Sequence, residues 1–180
     1  MSRVYISDLK NHVGQTVTLR GWVYSHRSSG KIKFLLLRDG TGVCQCVYFR
    51  GECEDKAFED FEKLTQESSV AVTGLVKAEP RSPGGFELGA RSLEILGGSV
   101  DYPISPKEHG TDFLMGQRHL WLRSKRQQAV MRVRHEVVSA IRDFFDGRGF
   151  TLQDAPIFTP SACEGTSNLF ETKYFEEKAF

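Results

Sequence analysis

The residues with the clearest chemical potential lie between positions 27 and 45, where an arginine, an aromatic and an amide side chain occur among apolar residues. Phe34 and Gln45 fall on either side of the segment 39–42, and its Asp-Gly pair between apolar runs is a strong hairpin signal. An exposed aromatic ring stacks on an unpaired base, a neighbouring amide reads the edge of that base, and Arg27 can hold phosphate or base nearby. The pattern is typical of a site for single-stranded RNA.

The register of this hairpin depends on how many residues form its loop. If the Asp-Gly pair alone forms the loop, Phe34 faces Gln45 across the two strands. If all four residues 39–42 form it, Phe34 faces Val47, and Gln45 becomes a diagonal neighbour of Phe34. Either register keeps Phe34 and Gln45 on the same face.

Burial of Phe34 is the alternative interpretation of the same pattern. Residues 31–38 form a largely apolar run, so Phe34 could instead line the interior of a barrel together with Ile32 and Leu36. The alternation of side chains does not by itself decide between a stacking surface and a core.

The elements that would position these residues follow from hydrophobic periodicity. Period-two runs predict strands, and apolar residues every three or four positions among acids predict one helix. In chain order these are strands 16–24, 31–38 and 42–50, helix 55–66, and strands 69–78 and 86–96. Three strands, a helix and two strands within about 100 residues is the order of the OB-fold, a five-stranded barrel that binds oligonucleotides. We therefore expect an OB-fold domain over residues 1–98.

The rest of the chain is expected to contain a connection and the start of a second domain. Residues 99–123 include prolines and glycines without a clear period and are interpreted as a hinge. Ser124 is a suitable N-cap for a long helix, which carries an apolar stripe formed by Val130, Val133, Val137, Ile141 and Phe144. A short strand is predicted over 150–158. The predicted fold class is α+β.

Charge is segregated along the chain although the net charge is only +1. Two stretches, 20–38 and 118–134, contain five and six Lys or Arg residues respectively and no acid, whereas seven acids lie within 52–67. Two positive surfaces able to contact phosphates are therefore compatible with a nearly neutral protein. The alternative is that both stretches are solvated faces without a partner.

Cysteine spacing and hydropathy argue against a metal-binding, a membrane-spanning or a secreted protein. Cys44 and Cys46 share a face of a predicted strand, but no second ligand pair completes a tetrahedral set, so no metal site is expected. No apolar run approaches the roughly 20 residues that span a bilayer, and the start of the chain lacks the layout of a secretory signal. We expect a cytoplasmic protein with free thiols and no membrane partner.

A wider set of residues surrounds the hairpin: Gly21-Trp22-Val23, His26-Arg27, Gly30-Lys31, Phe34 and Leu37-Arg38-Asp39-Gly40-x-Gly42-x-x-Gln45. Together they resemble the anticodon-binding barrel shared by the aspartyl, asparaginyl and lysyl tRNA synthetases. The resemblance implies that Phe34 stacks on the central anticodon base, a uridine, that Gln45 contacts this base and that Arg27 supports the contact. His26 departs from the pattern, because relatives often have a second basic residue there.

The second half of the chain contains Arg118-His119-Leu120-Trp121-Leu122-Arg123-Ser124, then Gly149-Phe150 and Pro156-Ile157-Phe158-Thr159-Pro160. The first of these segments resembles the asparaginyl branch, and the later ones resemble motif 1 of class II synthetases, at the start of an antiparallel-sheet catalytic domain over 124–180. The resemblance implies contacts of Arg118, His119 and Arg123 with the tRNA backbone. It also implies a homodimer interface that includes Val133, Val137 and Pro160.

Residues 161–166 resemble the mobile loop over the amino-acid pocket, where Glu164 would bind the substrate ammonium group. The alternative is that Glu164 is a solvated loop acid. The resemblance implies ATP, Mg²⁺, asparagine and tRNA(Asn) as ligands of a complete asparagine–tRNA ligase. We expect motifs 2 and 3 beyond Phe180, no catalytic residue within the chain and no adenylate formation by the 180 residues alone.

Two other functions fit parts of the pattern. A stand-alone OB-fold that binds single-stranded nucleic acid accounts for residues 1–98 but leaves the motif 1 segment without a role. An aspartyl-tRNA synthetase fragment accounts for both halves, but its relatives usually carry an acid at the position of Trp121.

Overall fold

Alternating side chains build the first part of the chain as a closed five-stranded barrel. In the computed structural model, which describes residues 4–159 and 169–180, the chain divides into two units between Gly110 and Thr111. The first unit contains β1 Thr16–Ser29, β2 Ile32–Arg38, β3 Val43–Phe49, helix α1 Asp55–Asp60 with a 3₁₀ turn Phe61–Lys63, β4 Ser69–Ala78 and β5 Phe86–Gly97. The order around the barrel is β1-β2-β3-β5-β4, and only the β3–β5 pair is parallel. The predicted OB-fold is confirmed.

Two element boundaries differ from the prediction. The first strand continues to Ser29 because residues 25–29 pair with β2, after a register shift next to Val23. The predicted helix over 55–66 ends early, since Leu64 takes an extended backbone conformation (ψ 134°) that leads the chain towards β4. Phe61 and Leu64 are buried there and belong to the hydrophobic core of the barrel.

The barrel core is formed by one parity of each strand. β1 contributes Val17, Leu19 and Val23, whereas β3 contributes Cys44 and Cys46, each of them at most 8% exposed. Two glycines allow strands to approach closely: a Cβ at Gly21 would lie 2.3 Å from the Arg38 carbonyl oxygen, and one at Gly74 would lie 2.4 Å from that of Gly89. Larger residues at these two positions would force the strands apart.

Asp39 fixes the loop between β2 and β3. Its Oδ1 accepts hydrogen bonds from the backbone N–H groups of Thr41 (2.7 Å) and Gly42 (3.0 Å), and its Oδ2 accepts one from Ile6 N–H (2.9 Å). The Asp39 N–H donates to the Gly42 carbonyl at 3.1 Å. This side-chain turn makes a four-residue loop, so that Phe34 pairs with Val47 rather than with Gln45.

The chain after β5 remains bonded to the barrel at several points. The Thr65 hydroxyl donates to the Ser99 carbonyl at 2.6 Å, and the Gln66 amide donates to the Ile104 carbonyl at 3.0 Å. The assignment of residues 99–123 as a hinge stays a prediction.

The second unit contains helices α2 Thr111–Gly116, α3 Arg118–Trp121 and α4 Lys125–Asp146, followed by the short hairpin of β6 Thr172–Tyr174 and β7 Glu177–Ala179. Ser124 caps α4, since its side chain accepts a hydrogen bond from the Gln127 N–H at 3.2 Å. Helix α2 had no counterpart in the prediction, because six residues carry too short a period to be recognised.

The predicted strand over 150–158 is wrong: the structure shows irregular backbone there. A strand needs a neighbouring strand for its backbone groups. In this part of the chain, the described residues show such pairing only after the segment, where Thr159 exchanges two backbone hydrogen bonds with Phe180 at 3.0 and 3.1 Å.

Within the described ranges, no helix is long and apolar enough to cross a membrane, and no three His, Cys, Asp or Glu side chains are grouped as a metal site would require.

Tyr48 offers a test of the core packing. Its ring is 0% exposed and contacts Phe61 edge to face with 5.5 Å between ring centres, and its hydroxyl has no hydrogen-bond partner among the described residues. Burial raises the pKa of this hydroxyl well above its ordinary value. Because an unpaired buried hydroxyl costs about 1–3 kcal/mol, Tyr48→Phe should leave the free energy of unfolding unchanged or raise it.

Denaturant unfolding of the two proteins measures this difference. As a control, Tyr48→Ala removes the ring as well and should lower the free energy of unfolding by about 3–5 kcal/mol. A marked loss of stability in Tyr48→Phe would show that the hydroxyl is stabilising.

Candidate nucleic-acid interface

Phe34 lies on the outer face of the barrel. Its neighbours along β2, Lys33 and Leu35, point to the interior and are 4% and 0% exposed, whereas Phe34 is half-buried. Ile32 and Leu36 share the outer parity with Phe34 and are also half-buried. The alternative that placed these three side chains in the core is therefore wrong.

Arg27 and Phe34 form a joint surface across β1 and β2. The two residues are register partners, and the Arg27 guanidinium carbon lies 4.5 Å from the centre of the Phe34 ring. This is the distance of a cation–π contact. The guanidinium therefore lies over the Phe34 ring on the outer face of the barrel, and this combination of a cation with an aromatic ring suits a ligand that has both a flat base and a phosphate.

Gln45 lies on the same outer face, diagonal to Phe34, as the four-residue loop requires. Its side-chain amide donates a hydrogen bond to the Ser82 hydroxyl at 3.3 Å. The Ser82 hydroxyl donates in turn to the Glu87 carboxylate at 3.4 Å. The amide is thus held by the loop between β4 and β5, while Glu87 is its register partner on β5.

A groove of about 490 Å³ continues the outer face from β3 across β5 to β4. Val47 and Glu87 line it on the side of Phe34 and Gln45, and Lys77 lines it on β4. At the tip of the β4–β5 loop, Arg81 donates a hydrogen bond to Glu79 at 3.1 Å, which lowers the pKa of the Glu79 carboxyl. The surroundings of Gln45 therefore combine room for a further nucleotide with charges of both signs.

The first basic stretch is divided between the interior and the surface. Lys33 forms an ion pair with Glu62 at 2.6 Å, and this hydrogen bond lowers the pKa of Glu62. Arg38 binds both carboxylate oxygens of Glu67 at 2.7 and 2.8 Å, in a pair that is at most 8% exposed. The acidic segment thus neutralises two of the five cations, and those exposed to solvent are Arg20, Arg27 and Lys31.

His26 belongs to a different environment from that of Arg27. Its ring contacts Phe61 edge to face at 5.7 Å between ring centres, and it is the register partner of Leu35, a core residue. His26, the residue that departs from the resemblance described above, therefore lies on the side of the sheet that packs against the 3₁₀ turn Phe61–Lys63. The outer face is left unchanged.

The candidate residues for contact with the tRNA backbone lie in the second unit. Arg118 and His119 are exposed on α3, and Arg123 is half-buried between α3 and α4 in the sequence. The structure describes them in a separate unit from Arg27 and Gln45. Their role stays a prediction.

The candidate interface residues Val133 and Val137 are 64% and 53% exposed on α4. The other members of the predicted apolar stripe are also exposed on this helix: Val130, Ile141 and Phe144. Pro160 and Glu164, the predicted interface proline and substrate-loop acid, lie outside the described residues.

Ser82 and Glu87 were missed by the sequence interpretation. The segment 80–85 was recognised only as turn-rich, and no hairpin links β3 to β5, so their register cannot be counted along the sequence. The predicted OB-fold could have indicated that residues of β5 lie near Gln45, because closing the barrel brings the fifth strand beside the third.

Comparison with known proteins gives both units a counterpart. Residues 17–96 match the family described as an OB-fold nucleic acid binding domain, and residues 110–180 match class II tRNA synthetases of the D, K and N type. The fold and the matches define an anticodon-type OB domain followed by part of a class II synthetase domain.

Along nearly its whole length, the chain is similar to asparagine–tRNA ligases. It is 61% identical to asparagine–tRNA ligase of Sorangium cellulosum over 97% of this chain and 39% of that protein, and 52% identical to the enzyme of Thermus thermophilus over 99% and 41%. Asparaginyl-tRNA synthetase of Pyrococcus horikoshii, solved with asparaginyl-adenylate, is 35% identical with a TM-score of 0.86 over 99% of this chain and 42% of that one. The chain spans about two fifths of the length of these relatives.

The outward placement of Phe34 predicts how two neighbouring substitutions differ in stability. Phe34→Ala removes a half-buried ring from the outer face and should lower the free energy of unfolding by about 1 kcal/mol or less. Leu35→Ala empties a fully buried core position and should cost about 2–5 kcal/mol. Denaturant unfolding of both variants measures the contrast, and an equal or larger loss for Phe34→Ala would return Phe34 to the core.

Proposed function

We propose that the barrel binds the anticodon of tRNA(Asn) through its outer face over β1, β2 and β3. The observation that carries this proposal is the placement of Arg27, Phe34 and Gln45 on one exposed face: the cation lies 4.5 Å from the ring centre, and the amide is held by a hydrogen bond. The similarity to asparagine–tRNA ligases supports tRNA(Asn) as the RNA.

The chemistry of an anticodon matches this surface. Its bases are unpaired, so that one of them can stack on Phe34, a contact worth about 1–3 kcal/mol per base. Gln45 offers both a donor and an acceptor to the Watson–Crick edge of the stacked base. Arg27 places a positive charge against the ring, where it can attract the phosphate of the same nucleotide.

For the whole enzyme we propose the family reaction, in which ATP and Mg²⁺ activate asparagine to the adenylate and the acyl group passes to the terminal ribose of tRNA(Asn). Such catalysis rests on positioning and on neutralisation of phosphate charge. No residue of the described chain is assigned to ATP or to Mg²⁺. We also propose that the enzyme works in the cytoplasm.

The second unit is proposed to serve the same enzyme. Arg118, His119 and Arg123 would contact the tRNA backbone, and Glu164 would bind the ammonium group of asparagine. The apolar stripe that includes Val133 and Val137 is proposed to pack against a second copy of the chain, together with Pro160. Support comes from the 64% and 53% exposure of the two valines, because a stripe of apolar side chains in water favours burial.

Binding of a tRNA(Asn) anticodon stem-loop to the 180-residue chain tests the proposed function. Phe34→Ala and Gln45→Ala should each weaken binding by about 1–3 kcal/mol, because they remove the stacking ring and the base-reading amide. Fluorescence anisotropy at fixed salt gives the Kd. The same measurement with an arbitrary single-stranded RNA separates anticodon recognition from general binding.

A matched control is Val43→Ala, which removes an aliphatic side chain from the same outer parity of β3 and should leave the Kd within about threefold of the original value. Unchanged affinity in both folded site variants, or equal affinity for the arbitrary RNA, would contradict the proposal.

A further inference from the structure

We propose that Ser82, backed by Glu87, fixes the orientation of the Gln45 amide and thereby makes the barrel select uracil over cytosine at the base that Gln45 reads. This inference rests on the proposed function, since it assumes that a base stacks on Phe34. It assigns a positioning role to two residues of the β4–β5 region that do not need to touch the base themselves.

The three side chains form a chain of hydrogen bonds that starts at the outer face and ends at a carboxylate. Gln45 Nε2 lies 3.3 Å from Ser82 Oγ, and Ser82 Oγ lies 3.4 Å from Glu87 Oε2. Ser82 is only 7% exposed, so that water has little access to its side chain, whereas Gln45 and Glu87 are half-buried. Gln45 and Glu87 are register partners in the parallel pair of β3 and β5, which keeps the ends of this chain at a fixed separation.

The direction of the hydrogen bonds follows from the proton inventory of the three groups. A carboxylate can only accept, so the single hydroxyl proton of Ser82 goes to Glu87. The Ser82 oxygen is then left as an acceptor, and only the NH₂ end of the Gln45 amide can donate to it. Rotation of the amide by 180° would bring two acceptors, Gln45 Oε1 and Ser82 Oγ, into contact without a proton between them.

The fixed amide presents a fixed pattern to a ligand. One N–H of Gln45 is used by Ser82, which leaves the second N–H and the carbonyl oxygen side by side as a donor–acceptor pair. Uracil offers the complement, since its O4 accepts and its N3–H donates. Cytosine shows the reverse order along the same edge, because its N4 amino group donates and its N3 accepts. With the sugar held in one place by stacking, cytosine would need the rotated amide.

Ser82 is suited to a test because its backbone hydrogen bonds do not involve its side-chain hydroxyl. The Ser82 N–H donates to the Glu79 carbonyl, and the Ser82 carbonyl accepts from Gly85 N–H, both at 2.9 Å. Ser82→Ala removes the oxygen and leaves this turn in place. Glu87→Gln provides a second route, since a carboxamide can donate to Ser82 and so permits the reversed hydrogen-bond order.

The experiment measures Kd of the 180-residue chain for two anticodon stem-loops that carry uridine or cytidine at the central anticodon position. The original chain should prefer uridine by about tenfold or more, as a bidentate base contact implies. In Ser82→Ala and in Glu87→Gln this preference should fall to within about threefold of unity, chiefly through tighter binding of the cytidine stem-loop. Glu59→Gln, which neutralises an exposed acid on α1 outside the groove, is the control and should keep the original preference.

The outcomes separate this inference from the proposed function. A preference that persists in both folded variants overturns the role of Ser82 and Glu87, while the anticodon proposal stands. No preference in the original chain, or binding that does not depend on Phe34, overturns both. A parallel loss of affinity for both stem-loops with an unchanged ratio shows that the two residues act on structure alone, and it also overturns the inference.

Discussion

The loop turn made by Asp39 determines how the two strands of the candidate site meet. Its carboxylate accepts backbone hydrogen bonds from Thr41, Gly42 and Ile6, and these bonds make the loop four residues long instead of two. The pairing of Phe34 with Val47, the diagonal position of Gln45 and the approach of Gln45 to Ser82 all depend on that length. One buried acid therefore connects the N-terminal segment, the hairpin register and the outer face of the barrel.

The interior face of β2 packs in the core and the outer face forms the candidate site, and the basic residues near the two faces differ in the same way: one is paired with an acid and the other is exposed. On the interior side, Lys33 is neutralised by Glu62 and packs near Phe58, with 3.9 Å between its ammonium group and the ring centre. On the outer side, Arg27 remains exposed beside Phe34. The acids of the segment 52–67 thus stabilise the barrel without cancelling the positive charge at the candidate site. A count of charges along the sequence could not separate these two uses of lysine and arginine.

The sequence predicted the barrel well because most strands show alternating or continuous apolar runs between turn signals and the strand order is distinctive. It also predicted that Phe34 and Gln45 share a face, since both possible loops give that result. It could not choose the register, because that choice depends on where the Asp39 carboxylate finds its donors. The contacts of Gln45 with Ser82 and of Ser82 with Glu87 were out of reach for a related reason: they cross a parallel strand pair that no local turn connects.

The second unit was less predictable because its elements are short or depend on partners. The long helix α4 and its cap at Ser124 follow from local periodicity and local hydrogen bonding. The segment 150–158 has strand-like composition, but composition does not supply the neighbouring backbone that a strand requires. Helix α2 is too short to leave a periodic signature.

Nuclear magnetic resonance of the labelled chain with the anticodon stem-loop tests the central claim most directly. We expect intermolecular nuclear Overhauser effects between the Phe34 ring protons and the central anticodon base, with shifts of the Gln45 side-chain amide and of residues in β1 to β3. Contacts confined to α4 or to the α1 side of the barrel, with Phe34 and Gln45 unperturbed at saturating RNA, would contradict it.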